Sequence, residues 1–398
     1  MTQSPRTTTQ QRVLISGAGV AGPALAFWLA RFGFEPTIVE RAPQLRDGGQ
    51  AVDFRGPIHR AVLERMDLWD AIHERRTRPS DFTLLDRNGK PHARLPEVMM
   101  SGDVEILRGD LSRILYERTE RHTEYRFGDR IRALEDRGDT VAVTFERGGA
   151  QTYDLVIGAD GLHSGVRALA FGDDARHLRH QGYRVASFGL ENPEPNLLGS
   201  FCYSQPGRGA CLQGLSAEQA RALLVYTAGP LTREERDPEQ QKRVLAERFA
   251  GMGWLVPRMT AALDGAQDLY VDAVATVHVP SYACGRIGLL GDAAWGGTLG
   301  GQGTSLAIVG AYVLAHELAA SPSPANAFSR FEREMRPYAT GCQRGAMHVG
   351  GFFAPRTRFG LTLRNLFYGA LSSPVLSGVF TRLVTSAATD FALPQYAS

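Results

Sequence analysis

A glycine-rich turn near the N-terminus has the residue types and spacing of a dinucleotide-binding site. The motif Gly17-Ala18-Gly19-Val20-Ala21-Gly22 follows the apolar run RVLIS and opens a stretch with helical spacing. Gly17 permits the tight turn, Gly19 lets backbone N–H groups approach a pyrophosphate, and Gly22 lets helix and strand pack closely. Val20 and Ala21 begin the helix, whose N-terminus favours negative charge. Glu40 ends the next strand, 18 residues after Gly22, where it can accept hydrogen bonds from a ribose hydroxyl. The motif predicts a bound dinucleotide without separating FAD from NAD.

Two later segments each end an apolar strand in an aspartate beside glycine. They are residues 154–161, which continue to Ser164 and Arg167, and residues 288–294. Ligands of α/β folds bind at the C-terminal edge of the sheet, so Asp160 and Asp292 are predicted to meet hydroxyl groups in that crevice. An isolated Asp-Gly pair is more often a plain turn. The glycine-rich turn followed by two aspartate segments, in this order, favours ligand binding over plain turns.

Together the three motifs resemble the fingerprints of the class A flavoprotein monooxygenases, which share the p-hydroxybenzoate hydroxylase-like fold. The resemblance covers about residues 11–350 and implies FAD as cofactor and NADPH or NADH as transient reductant. It further implies that O₂ forms a flavin C4a-hydroperoxide, which transfers one oxygen atom to an aromatic or polycyclic metabolite. In that family the second motif, here with Asp160, helps to bind both FAD and NAD(P)H, and the aspartate of the third, here Asp292 after Gly291, bonds the ribityl or ribose-pyrophosphate region. The compact chain is similar to the tetracycline-inactivating oxygenases and salicylate-type hydroxylases.

The resemblance assigns further residues to the flavin. Arg108 is expected at the ribityl or phosphate region, the loop of residues 48–54 along the isoalloxazine ring, and Arg41 at the adenosine. The remaining cofactor residues that it implies are Gln50, Asp53, Gly300, Gly301 and Gly303. The chain departs from the family pattern after Asp292, because Trp295 stands where histidine is usual, no proline follows, and the turn is one residue shorter. The geometry at the flavin edge is therefore expected to differ.

No catalytic residue is identified from the sequence, and the substrate pocket has only candidates. They lie in the predicted antiparallel layer between residues 181 and 279: Arg184 and Phe188 in one strand, Arg208 in the following turn, and Gln213 and Tyr226 beyond it. Because side chains alternate along a strand, each is equally expected to face outward while the register is unknown. His163, beside the second motif, is interpreted either as a base or as a solvent-facing loop residue.

The elements that must position these groups indicate an α/β fold. We expect a Rossmann-like FAD-binding domain with a parallel central sheet, an antiparallel-sheet substrate domain, and C-terminal helices. The predicted FAD-binding domain is residues 11–78, 102–175 and 280–322; the substrate domain is 79–101 and 176–279; the helices are 323–398. Residues 57–75 are expected to be helical.

Composition narrows the partners and the compartment. The formal charge is +2, from 44 basic and 42 acidic side chains among 398 residues, which favours a small organic substrate and O₂ over nucleic acid or anionic membrane. The four cysteines lack CxxC spacing and the N-terminus lacks an apolar signal region, so a reduced cytoplasmic protein without a metal site is expected. Arg364, Asn365 and Pro374 interrupt the apolar C-terminal stretches, so we expect packing helices and no integral membrane segment, with surface contact to a membrane as the alternative.

Other functions stay open at this point. A flavin-dependent halogenase is disfavoured because its W-x-W-x-I-P element and reactive lysine are missing, and an NAD-dependent dehydrogenase explains the first motif alone. An FAD-binding protein without oxygenase turnover, or another flavin oxidoreductase, remains an alternative. The oligomeric state and the choice between NADH and NADPH are not determined.

Overall fold

The computed structural model describes most of the chain. The described residues are 10–45, 49–78, 80–96, 102–232, 235, 237–297, 299, 303–372, 391–394 and 396. The strands, in chain order, are β1 (Arg12–Ser16), β2 (Glu35–Glu40), β3 (Ala51–Phe54), β4 (Phe82–Leu85), β5 (Pro91–Leu95), β6 (Val104–Leu107), β7 (Glu124–Phe127), β8 (Ile131–Asp136), β9 (Val141–Phe145), β10 (Ala150–Tyr153), β11 (Leu155–Gly158), β12 (Leu178–Glu191), β13 (Gly199–Gln205), β14 (Arg208–Gly214), β15 (Gln219–Thr227), β16 (Tyr270–Val277), β17 (Ala283–Cys284) and β18 (Ile287–Leu289).

The helices alternate with these strands and dominate the C-terminal part. In chain order they are α1 (Ala21–Arg31), α2 (Pro57–Arg65), α3 (Trp69–Glu74), α4 (Arg108–Thr119), α5 (Gly165–Phe171), α6 (Asp174–His177), α7 (Pro238–Phe249), α8 (Val256–Ala261), α9 (Asp292–Trp295), α10 (Gly303–Ala320), α11 (Pro324–Ala346), α12 (Val349–Phe353) and α13 (Arg358–Leu371). The predicted helix 57–75 is two helices, because Asp67 adopts a φ of 57° that no helix tolerates.

The central sheet has the strand order β17-β18-β11-β1-β2-β7. Its strands run parallel except for β17, which pairs antiparallel at one edge. Val13, Leu14 and Ile15 of β1 are fully buried, as expected for a strand that helices cover on both faces. The sheet therefore presents the C-terminal ends of β1, β11 and β18 side by side, which confirms the predicted fold class.

A second, seven-stranded sheet has the order β16-β12-β15-β14-β13-β4-β5. Its pairs are antiparallel apart from β13 with β4. Strands β4 and β5 join it across a long stretch of chain, in line with the predicted inclusion of residues 79–101 in the substrate domain, although the domain bounds themselves remain a prediction. Helices α7 and α8 cover one face through Leu245, Phe249 and Met259.

The expectation that all cysteines are reduced is corrected by this sheet. Cys202 of β13 and Cys211 of β14 lie directly opposite each other and form a disulfide. The two residues are only nine apart in sequence, and the hairpin register, which spacing alone does not specify, brings them together. Cys284 and Cys342 are free thiols.

Of the C-terminal helices, α10 and α11 pack on the first domain, and α12 and α13 pack on the seven-stranded sheet. Helix α10 is apolar and long enough to cross a membrane by length and composition, but 72% of the relevant window is buried inside the protein, as in the core helix of a folded domain. Helix α13 packs along β5 and leaves Phe359 and Leu366 exposed. Most of the tail beyond it, residues 373–390, lies outside the described residues.

Candidate functional site

The glycine-rich turn between β1 and α1 has the geometry that its sequence requires. Gly17 has a φ of +109°, and a Cβ there would lie 2.6 Å from the carbonyl oxygen of Ala159. A Cβ on Gly22 would collide with the carbonyl oxygen of Gly17. A Cβ on Gly19 would meet only Arg108 Nη2, at 3.7 Å. Gly17 and Gly22 thus hold the turn against the sheet, and Gly19 faces open space beneath an arginine.

The N-terminus of α1 is free to bind an anion. Among the described residues no side chain caps it, no acidic residue lies in its first turn, and Val20 is its N-cap residue. The first N–H groups of a helix have no partner within the helix, and the helix dipole concentrates positive potential there. Ala21 and Gly22 begin this 11-residue helix beside the turn. The arrangement is that of a phosphate-binding helix start.

Glu40 holds the turn in place from the end of β2. Its Oε2 accepts a hydrogen bond from the backbone N–H of Ala18 at 2.9 Å, and its Oε1 accepts one from the N–H of Ala42 at 2.9 Å. Each carboxylate oxygen retains a second lone pair, so a ribose hydroxyl can still donate to it. Arg41 is exposed beside it. The predicted contacts of Glu40 and Arg41 with a nucleotide remain predictions.

Arg108, the first residue of α4, lies between the glycine-rich turn and the loop before β3. Its backbone N–H donates to the carbonyl of Gln50 at 3.2 Å, and a Cβ on Gly49 would lie 3.1 Å from the Arg108 Cβ. The Gln50 side chain is exposed, and the Asp53 carbonyl accepts a hydrogen bond from Ser305 of α10 at 2.6 Å. The structure therefore brings Gln50, Asp53 and Arg108 to one side of the crevice. Gly48 lies outside the described residues.

The two motif aspartates have different environments. The Asp160 carboxylate accepts hydrogen bonds from the hydroxyl of Ser164 and from the backbone N–H groups of Gly165 and Val166, the latter two at 2.8 and 3.2 Å. It therefore fixes the start of α5. Burial raises the pKa of Asp160, and these hydrogen bonds oppose the rise.

Asp292 has no such partners. No hydrogen-bond donor to its carboxylate is found in the part of the chain that the structure describes, although Arg108 interacts with it electrostatically. Burial raises the pKa of Asp292, and the Arg108 guanidinium works against that rise. A half-buried carboxylate without a donor, at the end of a parallel strand, is available to ligand hydroxyl groups.

The structure after Asp292 shows why tryptophan stands at position 295, where the family usually has histidine. Gly291 has a φ of +64° and a Cβ there would lie 3.0 Å from the Cβ of Ala21, while a Cβ on Gly303 would lie 3.4 Å from Asp292 Oδ1. Trp295 is 2% exposed and packs its ring against Tyr282 and Phe331. It is a core residue facing away from the crevice. The predicted cofactor residues Gly300 and Gly301 lie outside the described residues.

Four of the five pocket candidates face away from the crevice, which corrects the expectation for Arg184, Phe188, Arg208 and Tyr226. Arg184 forms a two-pronged ion pair with Glu235 at 2.7 and 2.8 Å, and Tyr226 stacks edge-on against Phe249 of α7. Arg208 is opposite Tyr226 in the sheet and donates to the carbonyls of Arg248 and Ala250 at 2.6 and 3.0 Å. All three are on the face that the helices cover, together with the buried Phe188.

Gln213 is on the other face and meets the first domain. Its Nε2 donates to Glu105 Oε1 at 2.9 Å, and the hydroxyl of Thr77 donates to the same oxygen at 2.6 Å. Glu105 of β6 is directly opposite Asp53 of β3. Gln213 therefore closes one side of the space between the two sheets, beside the loop predicted to line the flavin.

Two functional candidates on β16 have no counterpart in the sequence interpretation. Tyr270 and Asp272 face the same side of the sheet, and Asp272 binds His163 of the second motif at 2.9 Å. The alternative roles proposed for His163, base or solvent-facing residue, remain predictions, and the structure adds this contact with a buried carboxylate. The Tyr-x-Asp spacing of a strand was the available signal, because residues two apart share a face.

Arg167, which follows the second motif, is fully buried and ties the motifs together. It donates to the carbonyls of Ala293 and Leu162 at 3.0 and 2.6 Å and pairs with Asp174 at 2.5 Å. Its contact with Ala293 joins the loop after β11 to the third motif. The two predicted aspartate motifs are thus one rigid unit.

The combined arrangement fits a dinucleotide and offers no metal site. The uncapped helix start and Arg108 suit a pyrophosphate, and Glu40 and Asp292 suit hydroxyl groups at two separate points. Across the described ranges, no group of three or more His, Cys, Asp or Glu side chains could hold a metal ion.

Comparisons with known proteins agree with this geometry. The family model described as FAD binding domain matches residues 10–342. A Mycobacterium tuberculosis protein described as uncharacterized is 41% identical over 317 residues, covering 78% of this chain and 85% of that protein. A flavin-dependent monooxygenase of Legionella longbeachae is 34% identical and covers 97% of this chain and 98% of its own length. The crystal structure of the tetracycline destructase Tet(55) superposes with a TM-score of 0.81 at 32% identity, covering 97% of this chain and 99% of that one.

Proposed function

Since the chain belongs to the FAD-binding family of class A flavoprotein monooxygenases, we propose that it oxygenates an aromatic or polycyclic organic compound with NADPH or NADH as reductant. The single observation that supports this best is the crevice itself. Among the described residues, a helix N-terminus without a side-chain cap, the Arg108 guanidinium and an Asp292 carboxylate without a donor converge there from three separate segments.

The residues that would hold FAD follow from that convergence. The backbone N–H groups at Gly19, Val20 and Ala21 would bind the pyrophosphate, with the Arg108 guanidinium on its other side. Glu40 would accept a hydrogen bond from the adenosine ribose, and Asp292 from a hydroxyl on the flavin side. When bound, FAD supplies the redox chemistry that activates O₂ and transfers one oxygen atom.

The protein's own contribution is a dry, shaped space beside the ring. Part of the site-facing side of the seven-stranded sheet is apolar, with Val185, Val225 and Val274 buried together with Leu299, which follows the third motif. Such a surface excludes water from the reaction and suits a flat, apolar substrate. The Gln213 and Glu105 pair adds one polar point for orientation. The similarity to Tet(55) supports a polycyclic substrate.

The experiment measures cofactor, reductant and product separately. Purified protein is expected to be yellow with stoichiometric FAD, and each nicotinamide is supplied in turn with a panel that includes salicylate, a tetracycline and other polycyclic phenols. Substrate-stimulated NAD(P)H oxidation and a product heavier by one oxygen atom support the proposal. Bound flavin with no stimulated oxidation and no mass change across the panel contradicts it and favours a binding module.

A matched pair of variants tests the assignment of the crevice. Arg108→Met is expected to lose most bound FAD, because the guanidinium beside Gly19 is removed. Arg208→Met removes an arginine from the covered face of the sheet and is expected to retain the flavin. Equal flavin content in the two purified variants would contradict the placement of FAD.

A further inference from the structure

Three side chains form a hydrogen-bonded chain that the oxygenase chemistry above does not use. The hydroxyl of Tyr270 donates to Asp272 Oδ2 at 3.1 Å, and Asp272 Oδ1 is 2.9 Å from Nε2 of His163. The backbone N–H of Ala273 donates to the same Oδ1 at 2.7 Å. Asp272 and His163 come from different domains, β16 and the loop after β11, so the chain joins the two sheets.

The outer end of this chain is on the side of the second sheet that meets the loop after β11, because Tyr270 shares a face of β16 with Asp272. Tyr270 interacts electrostatically with Arg108, proposed above for the pyrophosphate, and with Asp292, proposed for a hydroxyl on the flavin side. Tyr270 is 38% exposed, so part of the side chain is accessible to a ligand. Burial and the adjacent Asp272 carboxylate raise the pKa of Tyr270 above its ordinary range, so the phenol keeps its proton.

The hydrogen bonds fix which way that proton points. A carboxylate only accepts hydrogen bonds, so both the Tyr270 hydroxyl and His163 Nε2 must act as donors to Asp272. The Tyr270 oxygen is then left with lone pairs, and no proton, directed away from Asp272. Tyr270 is thus oriented as an acceptor toward whatever lies in the crevice.

The wall around Tyr270 therefore has a defined hydrogen-bonding pattern. Tyr270 and Asp292 accept and Arg108 donates. Phosphate oxygens only accept, so two acceptors would not suit them, whereas a polyol has several hydroxyl groups that both donate and accept. We propose that Tyr270 accepts a hydrogen bond from a hydroxyl of the FAD ribityl chain, with Asp272 and His163 as its positioning residues. This proposal for Tyr270 rests on the proposed function only in taking FAD as the cofactor.

The test measures FAD affinity and needs no turnover. Apoprotein is prepared from wild type, Tyr270→Phe, Asp272→Ala and the double variant, and FAD is titrated by quenching of its fluorescence. Loss of one hydrogen bond corresponds to about a 3- to 10-fold higher Kd. Because Asp272 acts through Tyr270, Asp272→Ala is expected to give the same increase as Tyr270→Phe, and the double variant no further increase.

Two controls separate positioning from simple damage to the fold. Tyr226→Phe makes the same chemical change on the covered face of the sheet and is expected to leave the Kd unchanged. His163→Gln keeps an N–H for Asp272 and is expected to bind FAD nearly as wild type does, while His163→Phe weakens binding. Thermal melting of each apoprotein verifies that it is folded.

FAD analogues that each lack one ribityl hydroxyl identify the donor. Wild type is expected to discriminate against one of them, and Tyr270→Phe to lose that discrimination. Unchanged FAD affinity in Tyr270→Phe, additive effects in the double variant, or an equal loss in Tyr226→Phe would each overturn the proposal. A wild type that binds FAD yet oxygenates nothing would contradict the proposed function alone.

Discussion

Asp53 is expected to destabilise the protein at neutral pH, and its replacement by asparagine tests this. Asp53 on β3 is directly opposite Glu105 on β6, and its side chain is only 14% exposed. Burial, the largest effect, raises the pKa of Asp53 to about 6 from 3.8, with Glu105 adding to the rise and Arg55, at 3.7 Å, opposing it. Ionised Asp53 is therefore less stable in the folded than in the unfolded chain.

The size and the sign follow from this shift. A rise of about two pKa units corresponds to about 3 kcal/mol. The folded pKa is raised, so the stability from neutral Asp53 is fully present below about pH 4 and is lost as the pH rises through about 6. Asp53→Asn keeps the shape without the charge. It is expected to raise the free energy of unfolding by about 1–3 kcal/mol at about pH 8, the lower value if loss of the Asp53–Arg55 ion pair offsets part of the gain, and by little at about pH 4.

Urea unfolding followed by tryptophan fluorescence measures this difference across that pH range. Asp139→Asn, which removes an exposed carboxylate from the β8–β9 turn, is the matched control and is expected to change the free energy of unfolding little at either pH. An Asp53→Asn gain that does not depend on pH, or a gain no larger than that of Asp139→Asn, would refute the reasoning.

The remaining predictions concern the turn, the covered face and the core. Gly22→Ala places a methyl group against the Gly17 carbonyl and is expected to abolish FAD binding. In Gly19→Ala the new methyl group meets only the end of the Arg108 side chain, 3.7 Å away, so this variant should fold normally and bind FAD more weakly. Flavin content and melting temperature distinguish the two variants. Hydrogen bonds from Arg184 lower the pKa of Glu235 to about 2. That depressed pKa contributes stability above about pH 4.5 that is lost as the pH falls toward 2, so Glu235→Gln should cost about 1–2 kcal/mol at neutral pH and progressively less in acid, as measured by chemical denaturation. Trp295→Phe should lower the free energy of unfolding by about 1–3 kcal/mol without changing the flavin absorbance spectrum, since the ring lies in the core; an altered spectrum would place Trp295 at the flavin instead.

Local patterns were sufficient for the parts of the site built from one short segment. The Gly17 to Gly22 turn, the acid at Glu40 and the strand ends at Asp160 and Asp292 each follow from a few neighbouring residues. Their positions in space were predictable because parallel strands bring their C-terminal ends to one edge. The similarity to Tet(55) and the Legionella enzyme confirms the family to which these motifs pointed.

Contacts between distant segments could not be predicted in the same way. Arg184, Arg208 and Tyr226 were plausible pocket residues by type, yet the register of the second sheet turns them toward α7 while Gln213 faces the crevice. One residue of register reverses every side chain of a strand. The same limit applies to the Cys202–Cys211 pair, which depends on the β13–β14 alignment.

FAD was implied only by the resemblance of the three motifs to a known family, whereas the sequence by itself determined the fold class and the residues of the glycine-rich turn. These depend on backbone constraints that act within a few residues, such as the φ of Gly17 and the missing side chain of Gly22. Only the tertiary structure decided that Asp160 bonds the start of its own helix while Asp292 accepts no hydrogen bond from the described residues, that Trp295 belongs to the core, and that the Tyr270 hydroxyl donates to Asp272. Each of these depends on which distant groups supply or withhold a hydrogen bond, and that is set by the packing of the two sheets.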